Sequence, residues 1–402
     1  MASSIAAIQA ALHAQSDAAG IDAWLFYDFR GSDALAYRVL GLPQAELTRR
    51  WFYLVPASGH PRALVSAVEP EALADLPGER IVYRTWQDLH DGLRGLLRGC
   101  RRVAMQYSPN NAIPYVSRVD AGTVELVRSC GVELVSSADL MQRCEAVWSP
   151  AQYASHCRAA RGLRQTVDDT FAHIAAAINA GTQSTELGAQ AFMLDSFARA
   201  GLLTSKPPIV AVDSHSANPH YQPEPATNAA IRRGSFVLID LWAKEPGGVY
   251  ADITWTGYAG ESVPDEYANV FAVVRAARDA AVMLVSEAAR SQRSLCGADV
   301  DEAARSVIRR AGYGDYFVHR TGHSIGVEVH GNGANIDGFE SPDHRRLIPG
   351  TCFSIEPGIY LPGRFGVRSE VDVYLSERDA EVTGMPAQTA VVPLLAPKMR
   401  VA

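Results

Sequence analysis

Short apolar runs bounded by Gly, Pro or charged residues punctuate the first 147 residues: 22-DAWLFYDF, 51-WFYLVP, 62-RALVSAV, 80-RIVYRTW and 102-RVAMQY. Their length and their β-branched and aromatic content predict strands. An amphipathic pattern over 4–19, stopped at Gly20, predicts an N-terminal helix, and 86-WQDLHDGLRGLLRG is helical in composition. Strands alternating with helices imply an α/β layer. Residues 29–50, FRGSDALAYRVLGLPQAELTRR, interrupt the pattern and read as a long polar-tipped loop.

A boundary falls near Ser149-Pro150. Ser149 suits an N-cap, Pro150 a first helical turn, and Gln152 completes a capping box, so a helix over about 150–179 is expected. Beyond it the chain repeats itself. Tyr153-Ala154, a helix, a second helix from about Glu186 and Arg199-Ala200-Gly201 are matched by Tyr267-Ala268, a helix, a second helix from about Asp299 and Arg310-Ala311-Gly312. Gly234 precedes Asp240 by six residues and Gly350 precedes Glu356 by six, each acid following an isoleucine. A further acid follows 12 residues after Asp240, at Asp252, and 14 after Glu356, at Glu370. Two helix–helix–hairpin units related by an approximate two-fold, with their acids meeting at its axis, are expected.

Side-chain alternation gives these acids a direction. In 235-SFVLIDLWAKEPGGVYADITWTGY a Pro-Gly-Gly turn joins two strands, and Tyr250, Asp252 and Thr254 share one face. In 366-GVRSEVDVYL the same rule aligns Arg368, Glu370, Asp372 and Tyr374. Apolar neighbours imply burial. Each pair of buried carboxylates about 4 Å apart repels by on the order of 4 kcal/mol at an effective dielectric of 20. Divalent cations would neutralise that cost; separate capping or pairing of each acid is the alternative.

Histidines reinforce the cation reading. His319, His323 and His330 lie in 317-FVHRTGHSIGVEVHG among turn-forming glycines. His220 falls 19 residues after Gly201 and His330 falls 18 after Gly312, so the duplication sets them in comparable places. His215 has no counterpart and reads as structural. His13, His60, His90, His156, His173 and His344 show no grouping.

Composition narrows the class. With 402 residues, 48% hydrophobic and 20% charged, the chain is globular and long enough for two domains. A net charge of −7 lacks the cationic excess of a general nucleic-acid binder, and Arg101-Arg102 and Arg309-Arg310 are short. No apolar stretch approaches the roughly 18–20 residues of a membrane span. The first 29 residues contain no Lys or Arg, so no secretory leader is expected. Six cysteines without a CxxC pair fit a reducing cytoplasm rather than a disulfide scaffold.

Residues 205–375 resemble the metallopeptidases of the pita-bread fold, the group of methionine aminopeptidase, aminopeptidase P, prolidase and creatinase. The motifs are LID…ADIT, HxxGHSIG, SIEPGIY and GVRSE, in that order. The resemblance implies a pita-bread domain with internal two-fold duplication over 148–402, preceded by a smaller creatinase-like α/β domain over 1–147. It places five metal ligands on Asp240, Asp252, His323, Glu356 and Glu370, auxiliary histidines on His220, His319 and His330, and an active-site tyrosine and arginine on Tyr360 and Arg368. It implies two divalent cations per subunit, Mn²⁺ first, with Zn²⁺ or Co²⁺ as alternatives, bridged by a hydroxide, and a homodimer. Glu356 would carry the proton from water to the leaving nitrogen, and His319 and His330 would stabilise oxyanion charge. Two departures stand out: the first two ligands are 12 rather than 11 residues apart, and Trp255 replaces the usual Arg, at a pocket wall or a subunit contact.

The N-terminal domain argues against methionine aminopeptidase, and the complete ligand set argues against creatinase and against an inactive binding protein. Prolidase, an Xaa-Pro dipeptidase, is favoured over aminopeptidase P. A dipeptide's carboxylate suits an Arg fork, for which Arg345 and Arg346 are candidates. The 29–50 loop of a partner subunit, with Asp33, Arg38, Arg49 and Arg50, is a candidate to meet substrate termini.

Overall fold

The structure is a computed structural model, and it describes residues 5–43 and 47–397. The chain divides into two compact units, Met1–Ala146 and Val147–Ala402.

The first unit is a three-layer α/β sandwich around one mixed sheet. Its elements are α1 (Ile5–Ala19), β1 (Ala23–Asp28), α2 (Ala34–Leu40), β2 (Trp51–Pro56), β3 (Arg62–Ser66), β4 (Glu79–Tyr83), α3 (Trp86–Leu96), β5 (Arg102–Met105), α4 (Ala121–Ser129), β6 (Glu133–Ser136) and α5 (Ala138–Met141). Strand order is β4-β3-β2-β1-β5-β6. The central strand β1 is buried along its whole length, because alternate residues enter two cores: Trp24 and Phe26 one, Ala23, Leu25 and Tyr27 the other. The span 29–50 is not one long loop. Asp33 caps α2, its carboxylate accepting the N–H groups of Leu35 and Ala36, and Gly41 closes the helix at φ +70°. Residues 44–46 of that span lie outside the described residues.

The second unit contains α6 (Pro150–Asn179), β7 (Ser184–Thr185), α7 (Glu186–Arg199), β8 (Ile209–Val212), β9 (Ala230–Ile231), β10 (Phe236–Ala243), β11 (Ala251–Tyr258), α8 (Asp265–Ser291), α9 (Gly297–Arg310), β12 (Ser324–Ile325), β13 (Cys352–Ile355), β14 (Gly358–Leu361), β15 (Phe365–Arg368), β16 (Val371–Leu375), β17 (Ala380–Val382) and β18 (Val392–Pro393). Both halves of the Ser149–Gln152 capping box form at the start of α6. The duplication is visible in the sheets: β8, β10 and β11 pair antiparallel in one, and β12, β13 and β16 do so in the other.

Alternation decides what each sheet presents. Val237, Ile239 and Leu241 of β10 and Ala251, Ile253 and Trp255 of β11 pack with α6 and α7. Phe353 and Ile355 of β13 and Val371, Val373 and Leu375 of β16 join the core of α8 and α9. The intervening residues, Asp240, Asp252, Thr254, Ser354 and Asp372, are thereby turned away from those helices and buried between the halves.

One expected strand is broken. Residues 366–375 do not run as a single strand: β15 pairs with β14, whereas β16 pairs with β13. The chain changes partner at Ser369-Glu370, and there the Glu370 N–H points at the Thr254 carbonyl, 3.4 Å away. No helix among the described residues is long and apolar enough to cross a membrane.

Candidate metal centre

The seam between the two hairpins collects the acids. In the β10–β11 register Asp240 lies opposite Thr254 and Trp242 opposite Asp252, so Asp240 and Asp252 share a face two positions apart. Glu356 follows β13 and Glu370 precedes β16. Asp252 is 4% exposed and Glu370 3%. Thr254 joins the halves by donating its hydroxyl to Glu370 Oε2 (2.7 Å). The Asp252 N–H donates to Asp372 Oδ2 (2.9 Å). Asp252, His323 and Glu370 each offer a ligand atom, and the three atoms lie within 4.8 Å of one another.

His323 arrives from the other side of the seam. Gly322 lets the chain approach β13 so closely that a Cβ there would lie 1.9 Å from the Ser354 carbonyl oxygen. The His323 N–H donates to Ser354 Oγ (3.0 Å), whose hydroxyl donates to Glu356 Oε1 (3.1 Å). With Nδ1 directed at the Ser324 carbonyl (3.1 Å), His323 presents an unprotonated Nε2 to Glu356 (3.4 Å) and Asp252 (3.7 Å). Burial holds this imidazole well below its ordinary range, so it is neutral, the form that binds a cation.

The acids carry the converse strain. Burial, then repulsion by Glu370 and Asp240, raises Asp252 well above the usual carboxylate range. Burial likewise raises Glu370, and pushes Glu356 up to about 7 against the pull of Arg368. Asp240 Oδ1 and Asp252 Oδ1 are buried with no hydrogen-bond partner among the described residues. Orphaned carboxylate oxygens beside a neutral imidazole fit divalent cations: the missing positive charge and the missing donors are supplied together.

Arg368 is the hub of the site. Its Nη2 donates to Asp240 Oδ2 (2.5 Å), its Nε to Thr254 Oγ1 (2.9 Å), and its Nη1 to Tyr360 Oη (3.0 Å) and the Pro219 carbonyl (3.2 Å). One guanidinium thus orients a residue from each half. His319 is placed differently from its expected oxyanion role. Its Nδ1 donates to the Arg320 carbonyl (2.7 Å), so Nε2 carries the lone pair and accepts the Tyr360 hydroxyl (2.8 Å). Burial and Arg368 lower its pKa to about 3. His319 therefore has no proton to offer; it fixes the Tyr360 hydroxyl. His330 sits edge-on to His323 with ring centroids 4.3 Å apart. His220 is exposed at the rim, close enough to act electrostatically on Asp240, His319 and His330.

Other expected residues lie elsewhere. Arg345 is not a substrate fork: it is 5% exposed, and all three guanidinium nitrogens are bonded, to Asp343 and to the carbonyls of Asn332 and Gly333. A buried Asp343 and two turn carbonyls needed those donors. Arg346 is exposed, its backbone bridging to Cys296. Asp33 is fully buried as a helix cap, and Arg38 pairs with Glu145 (3.1 Å). The Arg49 N–H is bonded to Glu69 and the Arg50 carbonyl to Tyr83. Trp255 does not line the site; it faces α6, with the Arg164 guanidinium 3.9 Å above its ring. Conversely, Arg320 was not singled out from sequence. It is buried and helps lower His323 and His330, and it holds Glu356 down. Its position within HxxGHSIG was the available signal.

Two helix-backed hairpins with a carboxylate–imidazole cluster at their seam define a metallopeptidase architecture. Residues 158–377 match metallopeptidase family M24, and the chain belongs to that family. It is an enzyme of the pita-bread metallopeptidase group, related in fold to prolidase and aminopeptidase P. It is 29% identical over 361 residues to a Mycobacterium tuberculosis protein named "Probable dipeptidase PepE", covering 87% of this chain and 88% of that one. It is 38% identical to the Xaa-Pro dipeptidase of Lactobacillus helveticus over 162 residues, 40% of each chain. The crystal structure of dipeptidase PepE from Mycobacterium ulcerans superposes with a TM-score of 0.72 at 26% identity, over 97% of this chain and 98% of that one.

Proposed function

We propose that this chain is a dinuclear metal-dependent dipeptidase that hydrolyses Xaa-Pro dipeptides, with Asp240, Asp252, His323, Glu356 and Glu370 as ligands. The observation that carries the metal dependence is the pair of orphaned, fully buried oxygens on Asp240 and Asp252 beside the neutral Nε2 of His323. The dipeptidase reading is supported by the relative matched over most of the chain, and the proline preference by the Lactobacillus relative. Mn²⁺ is the favoured metal, with Zn²⁺ or Co²⁺ as alternatives for an oxygen-rich set. A homodimer in the cytoplasm, with residues 1–147 as a creatinase-like domain, completes the reading.

Cations in this site would lower the pKa of the attacking water and polarise the scissile carbonyl. Glu356 is the proton carrier. The Ser354 hydroxyl donates to its Oε1 and directs that oxygen. Glu356 takes the proton from water and returns it to the leaving nitrogen. Arg368 and Thr254 hold Asp240 and Glu370 in place. The Tyr360 hydroxyl, fixed between His319 and Arg368, and the His330 and His220 rings line the substrate side. The tertiary amide before proline has no N–H, so shape rather than backbone pairing must select the ring.

The test is hydrolysis of Ala-Pro or Met-Pro beside Ala-Pro-Ala, after chelation and again with Mn²⁺ or Zn²⁺ restored. Metal-dependent cleavage confined to dipeptides is expected. Cleavage of the tripeptide would make the enzyme an aminopeptidase, and no cleavage of either would overturn the proline specificity.

A further inference from the structure

Glu186, the first residue of α7, is fully buried and accepts four hydrogen bonds. Oε1 accepts the Val212 N–H (2.8 Å) and His215 Nδ1–H (2.9 Å). Oε2 accepts the Tyr221 hydroxyl (2.8 Å) and the Ala229 N–H (2.8 Å). The four donors span 212–229, and His215 stacks on Tyr221 with ring centroids 4.5 Å apart. His220 lies between the two side-chain donors in sequence and acts electrostatically on Asp240, His319 and His330.

The opposite side of the segment is tied to the catalytic strands. Asp213, at φ +49°, accepts the Phe236 N–H where β10 begins (2.7 Å). Ser216 Oγ accepts the Gly366 N–H in β15 (2.9 Å), and the Pro219 carbonyl accepts Arg368. Glu186 is the anchor behind these contacts. The second half uses a comparable device: Asp301 of α9 is 2% exposed and accepts the Thr321 N–H (2.9 Å), the Thr321 hydroxyl (2.7 Å) and the Gly338 N–H (3.2 Å), gripping the segment that carries His319, His323 and His330.

We propose that Glu186, through His215 and Tyr221, is the positioning residue that sets His220 and the Pro219 carbonyl against the metal centre. A carboxylate is the chemical requirement, because all four partners donate; in either orientation an amide would turn its own N–H₂ toward two of them, one a backbone N–H that cannot accept, and leave it unsatisfied.

The kinetic part of the test rests on the dipeptidase reading; the structural part does not. Hydrogen–deuterium exchange is followed by mass spectrometry on the full-length wild type, Glu186→Gln and Tyr221→Phe with Mn²⁺ present. In Glu186→Gln the amides of 212–229 are expected to exchange at least about tenfold faster, while those of 319–338 keep their wild-type rates. On Ala-Pro, kcat/KM is expected to fall about tenfold in the wild-type background and about threefold or less in a His220→Ala background, since the part that acts through His220 is then already gone and only the part through the Pro219 carbonyl remains. Wild-type exchange over 212–229, or equal losses in both backgrounds, overturns the proposal. Should Glu186→Gln fail to fold, Tyr221→Phe removes one of the four bonds, and about threefold faster exchange confined to 212–229 is expected; an unchanged rate overturns it. A wild type that cleaves no Xaa-Pro peptide defeats the substrate reading alone, and the exchange result still decides the role of Glu186.

Discussion

Asp252 is destabilised by its own neighbours, and its substitution separates folding from function. Glu370, Asp240, Asp372 and Glu356 all oppose its charge in a buried setting. Asp252→Asn removes all four of these repulsions. In metal-free buffer at pH 7.5 its Tm is expected to equal or exceed that of the wild type, while the Tm increase produced by Mn²⁺ is lost; thermal melts with and without metal check both. Glu356→Gln is expected to fold and to lose at least about a hundredfold in turnover. Arg368→Lys keeps the charge but cannot reach Tyr360, Thr254 and Asp240 in one plane. A loss of about 10–100-fold in metal affinity or kcat/KM is expected, measured by calorimetric titration and peptide hydrolysis. These residues were legible as types and spacings. Their roles were less so: nothing local to His319 announces that its Nε2 accepts from Tyr360, 41 residues away.

At the level of elements, close backbone approach is the constraint that matters most for the site. Gly322 sits where a Cβ would meet the Ser354 carbonyl at 1.9 Å, and His323 and Glu356 lie at the ends of the two strands brought together there, β12 and β13. Gly322→Ala is expected to destabilise the fold by about 1–3 kcal/mol and to weaken metal binding, read as a lower denaturation midpoint and a right-shifted metal titration. The capping box of α6 is remote from the chemistry, so Ser149→Ala is expected to cost about 1 kcal/mol of stability with kcat/KM unchanged. Most elements were readable from periodicity and punctuation, including α1, α6 and the β10–β11 hairpin. The strand β6, 133-ELVS, was too short and too weakly apolar to declare itself. The break between β15 and β16 was hidden because alternation is continuous across it; only the exchange of pairing partners reveals it.

For the whole molecule, a cation at the proposed site would compete with protons for the same carboxylates. Glu356 has an ordinary pKa of 4.5, and burial raises it to about 7 in the metal-free protein. Between those values the folded state holds a proton that the unfolded chain releases, so the stability contributed by that proton is lost as pH rises through the window. With Glu356 as a ligand, as proposed, a cation would displace the proton and remove the penalty. The Tm increase caused by Mn²⁺ is therefore expected to be larger at pH 7.5 than at pH 5.5, with protons released on binding; melts at the two pH values and calorimetry in two buffers of different ionisation enthalpy check this. An equal increase at both would mean that Glu356 does not face the metal.

Covalent order already carried the duplication, since the Gly–acid spacings and the paired helix ends recur along the chain whatever the fold. It also carried the shared face of Asp240 and Asp252, because side chains alternate along any strand. What needed the folded molecule was the disposal of donors and acceptors among distant segments. Arg345 is taken up by carbonyls 12 and 13 residues away, His215 by a carboxylate 29 residues away, and Thr254 by a carboxylate 116 residues away. Burial removes water as the alternative partner, so each buried polar group must be satisfied by whichever group the fold brings to it, and that pairing is a property of the packed chain.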